Sequence, residues 1–153
     1  MSADLNRLRL EQTSRAVQPF AVLRGLSAPS GGWLRAIREA LGLSLRKQAE
    51  RVRIAASNLH KSEVAEAEGR ITLAQLRKLA EGLECELVYA LVPRKPLLKV
   101  VEAQADRIAR QEILGVAHSM SLEDQRPSDD FVAQQIDERR RELLAGSWSK
   151  LWR

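Results

Sequence analysis

Residues 57–61 place four short polar or basic side chains around a single leucine, Leu59. Leucine suits a protein interior, so on a short helix Leu59 would face inward and its polar neighbours outward. An outward surface of this kind suits a helix that lies in the major groove of DNA, where base edges present hydrogen-bond donors and acceptors. Nucleic-acid binding is therefore the first hypothesis. The four side chains are Ser57, Asn58, His60 and Lys61.

The preceding residues predict a helix that would hold this surface in place. Ser44 has the side chain of a helix N-cap. Ala49 is small, which suits a point where two helices cross closely. A second short helix from about Ala56 completes a helix-turn-helix pattern over residues 44–63. Three apolar residues of the first helix recur at three- and four-residue steps and would share one buried face: Leu45, Ala49 and Val52.

Residue types that carry catalysis or bind metals are sparse. Cys85 is the single cysteine, so no disulfide can form within the chain, and we expect its thiol to be a small core group. One cysteine and two distant histidines cannot assemble a zinc cluster. His60 has no serine, cysteine or carboxylate arrangement nearby that would make it a catalytic base. With no glycine-rich phosphate loop and no credible triad, we expect no enzyme activity, no metal and no cofactor.

The composition favours a polyanionic partner. The chain has 153 residues, a formal net charge of +5 and a sequence pI of about 9.9. Nucleic acid is the usual partner of such a chain, although a solvated basic surface without a ligand gives the same numbers. No apolar run approaches the roughly 18 residues needed to span a bilayer, and no signal-peptide segment is found. We therefore expect a cytoplasmic protein without membrane contact.

Three regions are predicted, in a fold that is mainly α. Residues 1–30 form an arm in which Pro19 interrupts a short helix, and Ala28–Gly32 marks a boundary. Residues 31–95 are expected to form a domain of short helices followed by one short strand. Residues 96–153 are expected to form a helical extension for dimerisation or partner binding.

Glu84–Val92 is the segment that predicts the strand. It is rich in residue types that favour strands, and Pro93 ends the run. One strand cannot make a sheet, so this segment would pair either with the N-terminal arm or with its copy in a second subunit. We favour pairing across a dimer, because a two-fold symmetric DNA-binding protein needs two copies.

The C-terminal region predicts two longer helices. Pro96 opens the first, whose apolar stripe continues to about Met120. Residues 126–130 have the composition of a turn with an N-cap, and Phe131–Trp152 predicts the last helix. Its three consecutive arginines, Arg139–Arg141, are typical of a solvated face, and contact with phosphate is the alternative.

Trp33–Pro93 resembles the Cro/repressor-type helix-turn-helix domain found in bacterial regulators of the xenobiotic-response-element class. This resemblance implies a five-helix DNA-binding domain. Four positions carry it: the Ser44 cap, Ala49, Leu59 and Glu63. Three positions depart from the usual pattern: Gln48 stands in place of a leucine, Arg53 in place of the turn glycine, and Ala55 in place of a Ser or Thr cap.

Longer motifs over most of residues 31–152 are similar to the small regulators called mobile mystery protein A. These motifs are GWLRAIREALGLS, LHKSEVAEAEGRITLAQLRKLAEGLECELVYALVP, HSMSLEDQ and the terminal LW. Members of that family are encoded beside a Fic-domain protein, mobile mystery protein B. The resemblance implies a toxin–antitoxin module, with a Fic-domain toxin as partner and this chain as the DNA-binding antitoxin.

The resemblance to repressors also implies which residues contact DNA. In such repressors the first two residues of the recognition helix and the sixth face bases. The corresponding positions here are Ala56, Ser57 and Lys61. Lys61 could donate to guanine, Ala56 could pack on a thymine methyl, and Ser57 is permissive. We expect a homodimer on a palindromic operator in double-stranded DNA. The phosphate candidates are the amide of Leu45 and the side chains of Arg46, Lys47, Asn58 and His60.

Inhibitors of Fic enzymes, as a family, carry Ser/Thr-x-x-x-Glu-Gly/Asn on a helix. Their glutamate pairs with an arginine of the toxin and obstructs the γ-phosphate of the ATP from which AMP is transferred. Ser119 and Glu123 have this spacing, with Asp124 in place of Gly or Asn. At i and i+4 the two would lie on one helix face. They are the candidate toxin-inhibitory residues, and a polar helix end with Glu123 in solvent is the alternative.

Two functions are compatible with these patterns. In the first, the chain represses its own operon and inhibits the AMP transfer of a Fic-type toxin. In the second, it is a stand-alone dimeric transcriptional repressor, and residues 96–153 serve dimerisation or an unrelated ligand. A Fic-type reading frame beside the gene would favour the first function, and its absence would favour the second.

Overall fold

The computed structural model describes residues 3–153, which form seven α-helices and two short 3-10 helices. The 3-10 helices are Gln18–Leu23 and Trp148–Trp152. The α-helices are α1 (Ala3–Val17), α2 (Trp33–Ala40), α3 (Leu45–Val52), α4 (Ala56–Ala67), α5 (Leu73–Glu81), α6 (Leu97–Leu122) and α7 (Asp129–Ala145).

Two compact units divide the chain. Residues 25–90 form one of them, which we call the inserted unit. Residues 3–24 and 91–153 together form the other, which we call the split unit. The N-terminal residues thus belong with the C-terminal helices, on either side of the inserted unit in sequence. None of the helices within residues 3–153 is long and apolar enough to cross a membrane.

The inserted unit contains α2 to α5. Ser44 caps α3, since its Oγ accepts a hydrogen bond from the Lys47 N–H at 3.1 Å, as predicted. Thr72 caps α5 in the same way through the Gln75 N–H, also at 3.1 Å. Cys85 is partly buried and packs against the core, as expected. The core consists of five buried side chains: Leu34, Ala49, Leu59, Leu79 and Leu83.

The predicted strand Glu84–Val92 is wrong. Residues 84–92 lie outside every helix and strand, and the described part of the chain, residues 3–153, is all-helical with no sheet. The Val88, Tyr89 and Leu91 side chains are 61%, 61% and 88% exposed. Residue types that favour strands do so because their side chains pack well on a half-buried pleated sheet. Residues 3–153 of a single chain provide no neighbouring strand on which they could pack.

The expected fold class therefore needs two corrections. The inserted unit has four α-helices rather than five, and an irregular segment rather than a strand follows α5. Without this strand, the expected pairing of residues 84–92 between two copies of the chain is also wrong.

The split unit packs α1, α6, α7 and the 3-10 helix Trp148–Trp152 together. α1 is longer than expected, because Pro19 lies in the first turn of the following 3-10 helix, where its missing N–H costs nothing. The predicted last helix is two elements, since α7 ends at Ala145 and Gly146 follows in an extended conformation. The core consists of Val101, Ala105, Trp148 and Leu151, with Leu10 of α1 packed against it.

Candidate nucleic-acid interface

α3 and α4 are in contact and are joined by a turn of three residues, 53–55. Ala49, which is 2% exposed, provides the small side chain on α3. α3 is followed by its C-cap, Arg53, whose φ of 59° lies in the left-handed region that favours glycine. The Ile54 N–H donates to the Ala49 carbonyl at 3.0 Å and closes the helix end. The arginine at the expected turn-glycine position is thus at the residue that needs a positive φ.

On α4, three of the predicted contact residues share the outward surface. Ser57, Asn58 and Lys61 are exposed. Ser57 and Lys61, four residues apart, lie on the same side of the helix. Ala56 is half-buried and packs against the core, which leaves only part of its methyl group accessible. His60 is exposed at the edge of this surface, where it lines a cavity of about 360 Å³ beside α2.

A buried ion pair fixes α4 against α2. The Arg38 guanidinium donates to both carboxylate oxygens of Glu63, at 2.6 and 3.1 Å, and to the Leu43 carbonyl at 2.9 Å. Arg38 is 7% exposed and Glu63 is 4% exposed. The hydrogen bond to Glu63 raises the pKa of Arg38, so the guanidinium stays charged in the interior. Removing either partner would leave the other charge buried and unpaired.

Glu66, on α4, caps the N-terminus of α2, although the two are more than 30 residues apart in sequence. Its carboxylate accepts the N–H groups of Trp33 and Leu34, both at 2.9 Å, and places negative charge at the helix N-terminus. Gly32 precedes the helix with a φ of 84°, and a Cβ there would lie 2.7 Å from Glu66 Oε2. The backbone conformation of Gly32, with φ 84° and ψ 166°, favours glycine, and a Cβ there would also push the Glu66 carboxylate out of its place.

The glutamates of α4 are thus occupied away from its outward surface. Glu63 pairs with Arg38, Glu66 caps α2, and Glu68, just after the helix, pairs with Arg70. Lys61 has no carboxylate partner within the described residues. A polyanion approaching this surface would therefore meet an unneutralised cation and no free carboxylate of α4.

At the start of α3, Arg46 and Lys47 share one carboxylate, that of Glu50, at 3.4 Å each. All three side chains are largely exposed, so these pairs are weak and can be exchanged for phosphate. Leu45 is half-buried in the core, and its amide lies in the first turn of the helix, where no helical acceptor is available. The phosphate candidates therefore lie together at this helix end, partly neutralised by Glu50.

Sequence reasoning missed Arg38, Glu50 and Glu66. A signal for Arg38 was present, because it lies beside Leu34 and Ile37 on the apolar side of α2. Its partner, 25 residues away, could not be deduced from spacing. Glu66 left only an indirect signal, a helix that begins after a glycine with no side-chain cap.

The candidate inhibitory residues lie at the C-terminal end of α6. Ser119 is exposed in the last turns and donates to the Gly115 carbonyl at 3.2 Å. Glu123 is the C-cap, one residue beyond the helix, and is exposed. Asp124 has a φ of 63°, in the left-handed conformation that commonly ends a helix. Asp and Asn tolerate this conformation better than other non-glycine residues, so Asp124 suits a place where Gly or Asn is usual.

The three arginines of α7 form ion pairs with carboxylates of the split unit. Arg139 bonds to Glu112 at 2.6 Å and Glu142 at 2.9 Å, and these hydrogen bonds raise its pKa. Arg141 and Arg140 both pair with Asp137, whose pKa they lower. Contact of Arg139–Arg141 with phosphate would require these pairs to break.

No family model, curated protein or solved structure matched the chain. Residues 3–153 contain no group of three or more His, Cys, Asp or Glu side chains that could hold a metal ion.

Proposed function

We propose that this chain is a DNA-binding transcriptional regulator with α4 as its recognition helix. The observation that carries the proposal is the outward surface of α4, where Ser57, Asn58 and Lys61 are exposed beside each other. The two glutamates of the same helix are held elsewhere by Arg38 and the N-terminus of α2, and Glu68, just after the helix, pairs with Arg70. A helix of 12 residues with short polar side chains and an unneutralised lysine suits the major groove.

The roles of the contact residues follow from their positions. Lys61 donates hydrogen bonds to guanine, and Ala56 packs the accessible part of its methyl group on the methyl of thymine. The Ser57 hydroxyl can donate or accept, so it does not select one base. Asn58 and His60, together with Arg46, Lys47 and the Leu45 amide at the start of α3, meet phosphates and set the orientation of the helix.

Two copies of the chain would bind a palindromic operator. Recognition helices of a two-fold dimer meet half-sites about one helical turn apart, roughly 34 Å. Binding at the promoter of its own operon would repress transcription. Residues 3–153 contain no strand, so the proposed dimer does not depend on strand pairing between the two copies.

DNA binding is tested with duplex DNA from immediately upstream of the gene and a scrambled duplex of equal length. We expect Lys61→Ala to weaken binding to the upstream duplex by about 1–3 kcal/mol and to reduce discrimination against the scrambled one. Lys78→Ala, an exposed lysine on α5, is the matched control and should bind as the native chain does. Equal affinity of the native chain for both duplexes would contradict specific recognition by α4.

We propose further that the regulator is the antitoxin of a Fic-type toxin, with Glu123 as the inhibitory residue. The carboxylates of Glu123 and Asp124 lie at the C-terminal end of a 26-residue helix, where the helix dipole is also negative. Neither has an ion-pair partner within residues 3–153, so an arginine of a partner would find uncompensated negative charge there. Met120 and Val116 are exposed about one and two turns before Glu123 and offer apolar contact on the same side.

The antitoxin function is tested by co-purification with the protein encoded beside this chain, followed by an AMP-transfer assay. We expect a stable complex with suppressed transfer, and release of transfer when Glu123 is changed to Gly. Glu138→Gly, on the exposed surface of α7, is the control. Inhibition that survives Glu123→Gly would remove the assigned role of Glu123. Specific DNA binding without any complex would instead favour a stand-alone repressor.

A further inference from the structure

A second cationic site lies in the split unit. A cavity of about 310 Å³ is bounded by the end of α1, the 3-10 helix Gln18–Leu23 and the segment that leads into α6. Three basic side chains line it, and its lining contains no Asp or Glu. We call it the basic pocket, defined by Arg24, Arg94, Lys95 and the Ser14 hydroxyl.

The charges of the basic pocket are not neutralised. The Arg24 guanidinium donates to the Pro93 carbonyl, which is a neutral acceptor. Arg94 and Lys95 are exposed and have no carboxylate partner within the described chain. The next lysine along the chain, Lys99, differs in that it pairs with Glu102 at 2.8 Å.

The positive charge of the split unit is concentrated in the segments that form this pocket. Residues 3–24 and 91–99 together hold seven Lys and Arg but only two Asp and Glu. Residues 100–153 hold eight Lys and Arg against ten Asp and Glu. The excess therefore belongs to the segments that include the cavity and not to residues 100–153, and three of the seven cations, Arg24, Arg94 and Lys95, line the cavity itself.

The first turn of α6 adds to the attraction of the pocket for an anion. Pro96 gives the helix no side-chain cap, and the first turn contains no acidic residue. The helix dipole therefore places partial positive charge on the same wall as Arg94 and Lys95. Several cations, a hydroxyl and free amide groups around one concave site suit a group with several oxygens and a negative charge, which is the chemistry of phosphate.

We propose that the basic pocket binds a backbone phosphate of double-stranded DNA and adds affinity without sequence preference. This inference rests on the proposed DNA-binding function. Flexible, exposed Arg and Lys side chains are the groups that contact phosphates along a duplex, and such contacts orient a protein without selecting bases.

The test compares the full-length native chain with an Arg94→Gln/Lys95→Gln variant, by fluorescence anisotropy on the upstream and scrambled duplexes over a range of salt concentrations. We expect the variant to lose affinity by the same factor on both duplexes. The slope of log K against log salt should fall in magnitude by about two, one for each phosphate contact removed. Lys99→Gln removes one charge nearby but already paired, and it should leave the slope unchanged. Thermal melting checks that every variant is folded.

The outcomes separate this inference from the proposed function. If the double variant keeps the native affinity and slope while Lys61→Ala still weakens binding to the upstream duplex, the basic pocket does not bind DNA and the recognition helix stands. If the native chain binds neither duplex, both proposals fail together. Titration with inorganic phosphate at constant ionic strength is the further arm. Saturable phosphate binding in the millimolar range that disappears in the double variant, together with an unchanged affinity and salt slope on both duplexes, would assign the pocket to free phosphate and overturn the DNA assignment.

Discussion

Gln48 is a buried amide on α3, next in sequence to Ala49 of the core of the inserted unit. It is 1% exposed, and neither its amide nitrogen nor its amide oxygen has a hydrogen-bond partner. Burial of an unsatisfied amide costs about 1–3 kcal/mol, and leucine has a similar volume. We expect Gln48→Leu to raise the free energy of unfolding by about this amount, measured by urea denaturation. Gln75→Leu, half-buried on α5, is the control, and an equal gain there would contradict the explanation.

Arg53 stores backbone strain at the end of α3. A non-glycine residue in the left-handed region costs roughly 1–2 kcal/mol, and glycine relieves most of it. We expect Arg53→Gly to stabilise the chain by about 1 kcal/mol. The same change two residues earlier, Arg51→Gly, lies inside the helix and should destabilise by about as much. Two urea denaturation curves with shifts of the same sign would contradict this account.

At the scale of elements, α2 depends on a residue of α4 for its N-terminus. Glu66→Ala removes the acceptor for two amides and should destabilise the inserted unit by about 1 kcal/mol, while Glu66→Gln keeps one acceptor oxygen and should lose less. Glu68→Ala breaks only an exposed pair with Arg70 and should have little effect. Circular dichroism during urea denaturation would rank the three variants.

Elements defined by local signals could be predicted from the sequence, and those defined by partners could not. The cap at Ser44 and the inward position of Leu59 follow from side-chain chemistry and spacing within one or two turns. Glu84–Val92 has the residue types of a strand, but the hydrogen bonds of a strand belong to a neighbour, and local propensity does not supply one. Glu84 itself turns the chain away from α5 with a φ of 58°.

The residues of the candidate site could likewise be predicted from the sequence only where the signal is local. The exposed surface of α4 follows from helical periodicity, so Ser57, Asn58 and Lys61 could be identified in advance. Arg38 and Glu63 lie on two helices and are 25 residues apart in sequence, so a pattern of neighbouring residues could not predict that they pair. The same holds for the basic pocket, whose walls come from both ends of the chain.

For the whole molecule, the balance of charge near α3 should set the strength of DNA binding. Glu50 pairs with both Arg46 and Lys47, so Glu50→Gln would release two phosphate candidates. Exposed pairs are worth about 0.2–1 kcal/mol each, so the loss of both pairs should raise the affinity for duplex DNA by roughly twofold to thirtyfold. Glu81→Gln changes the net charge equally on α5, where no such pairs are formed, and should give a smaller gain. Equal gains in anisotropy titrations would point to net charge alone.

The division of the chain into an inserted and a split unit also orders events on the ribosome. Residues 25–90 are complete as soon as α5 and the segment after it have emerged, so the inserted unit can fold early. α1 is made earlier, but Leu10 packs against the core of Val101, Ala105, Trp148 and Leu151, whose residues arrive about 90 to 140 residues later. At roughly 5–20 residues per second, α1 waits several seconds for its partners. During synthesis the nascent chain would therefore carry a finished inserted unit before the split unit closes.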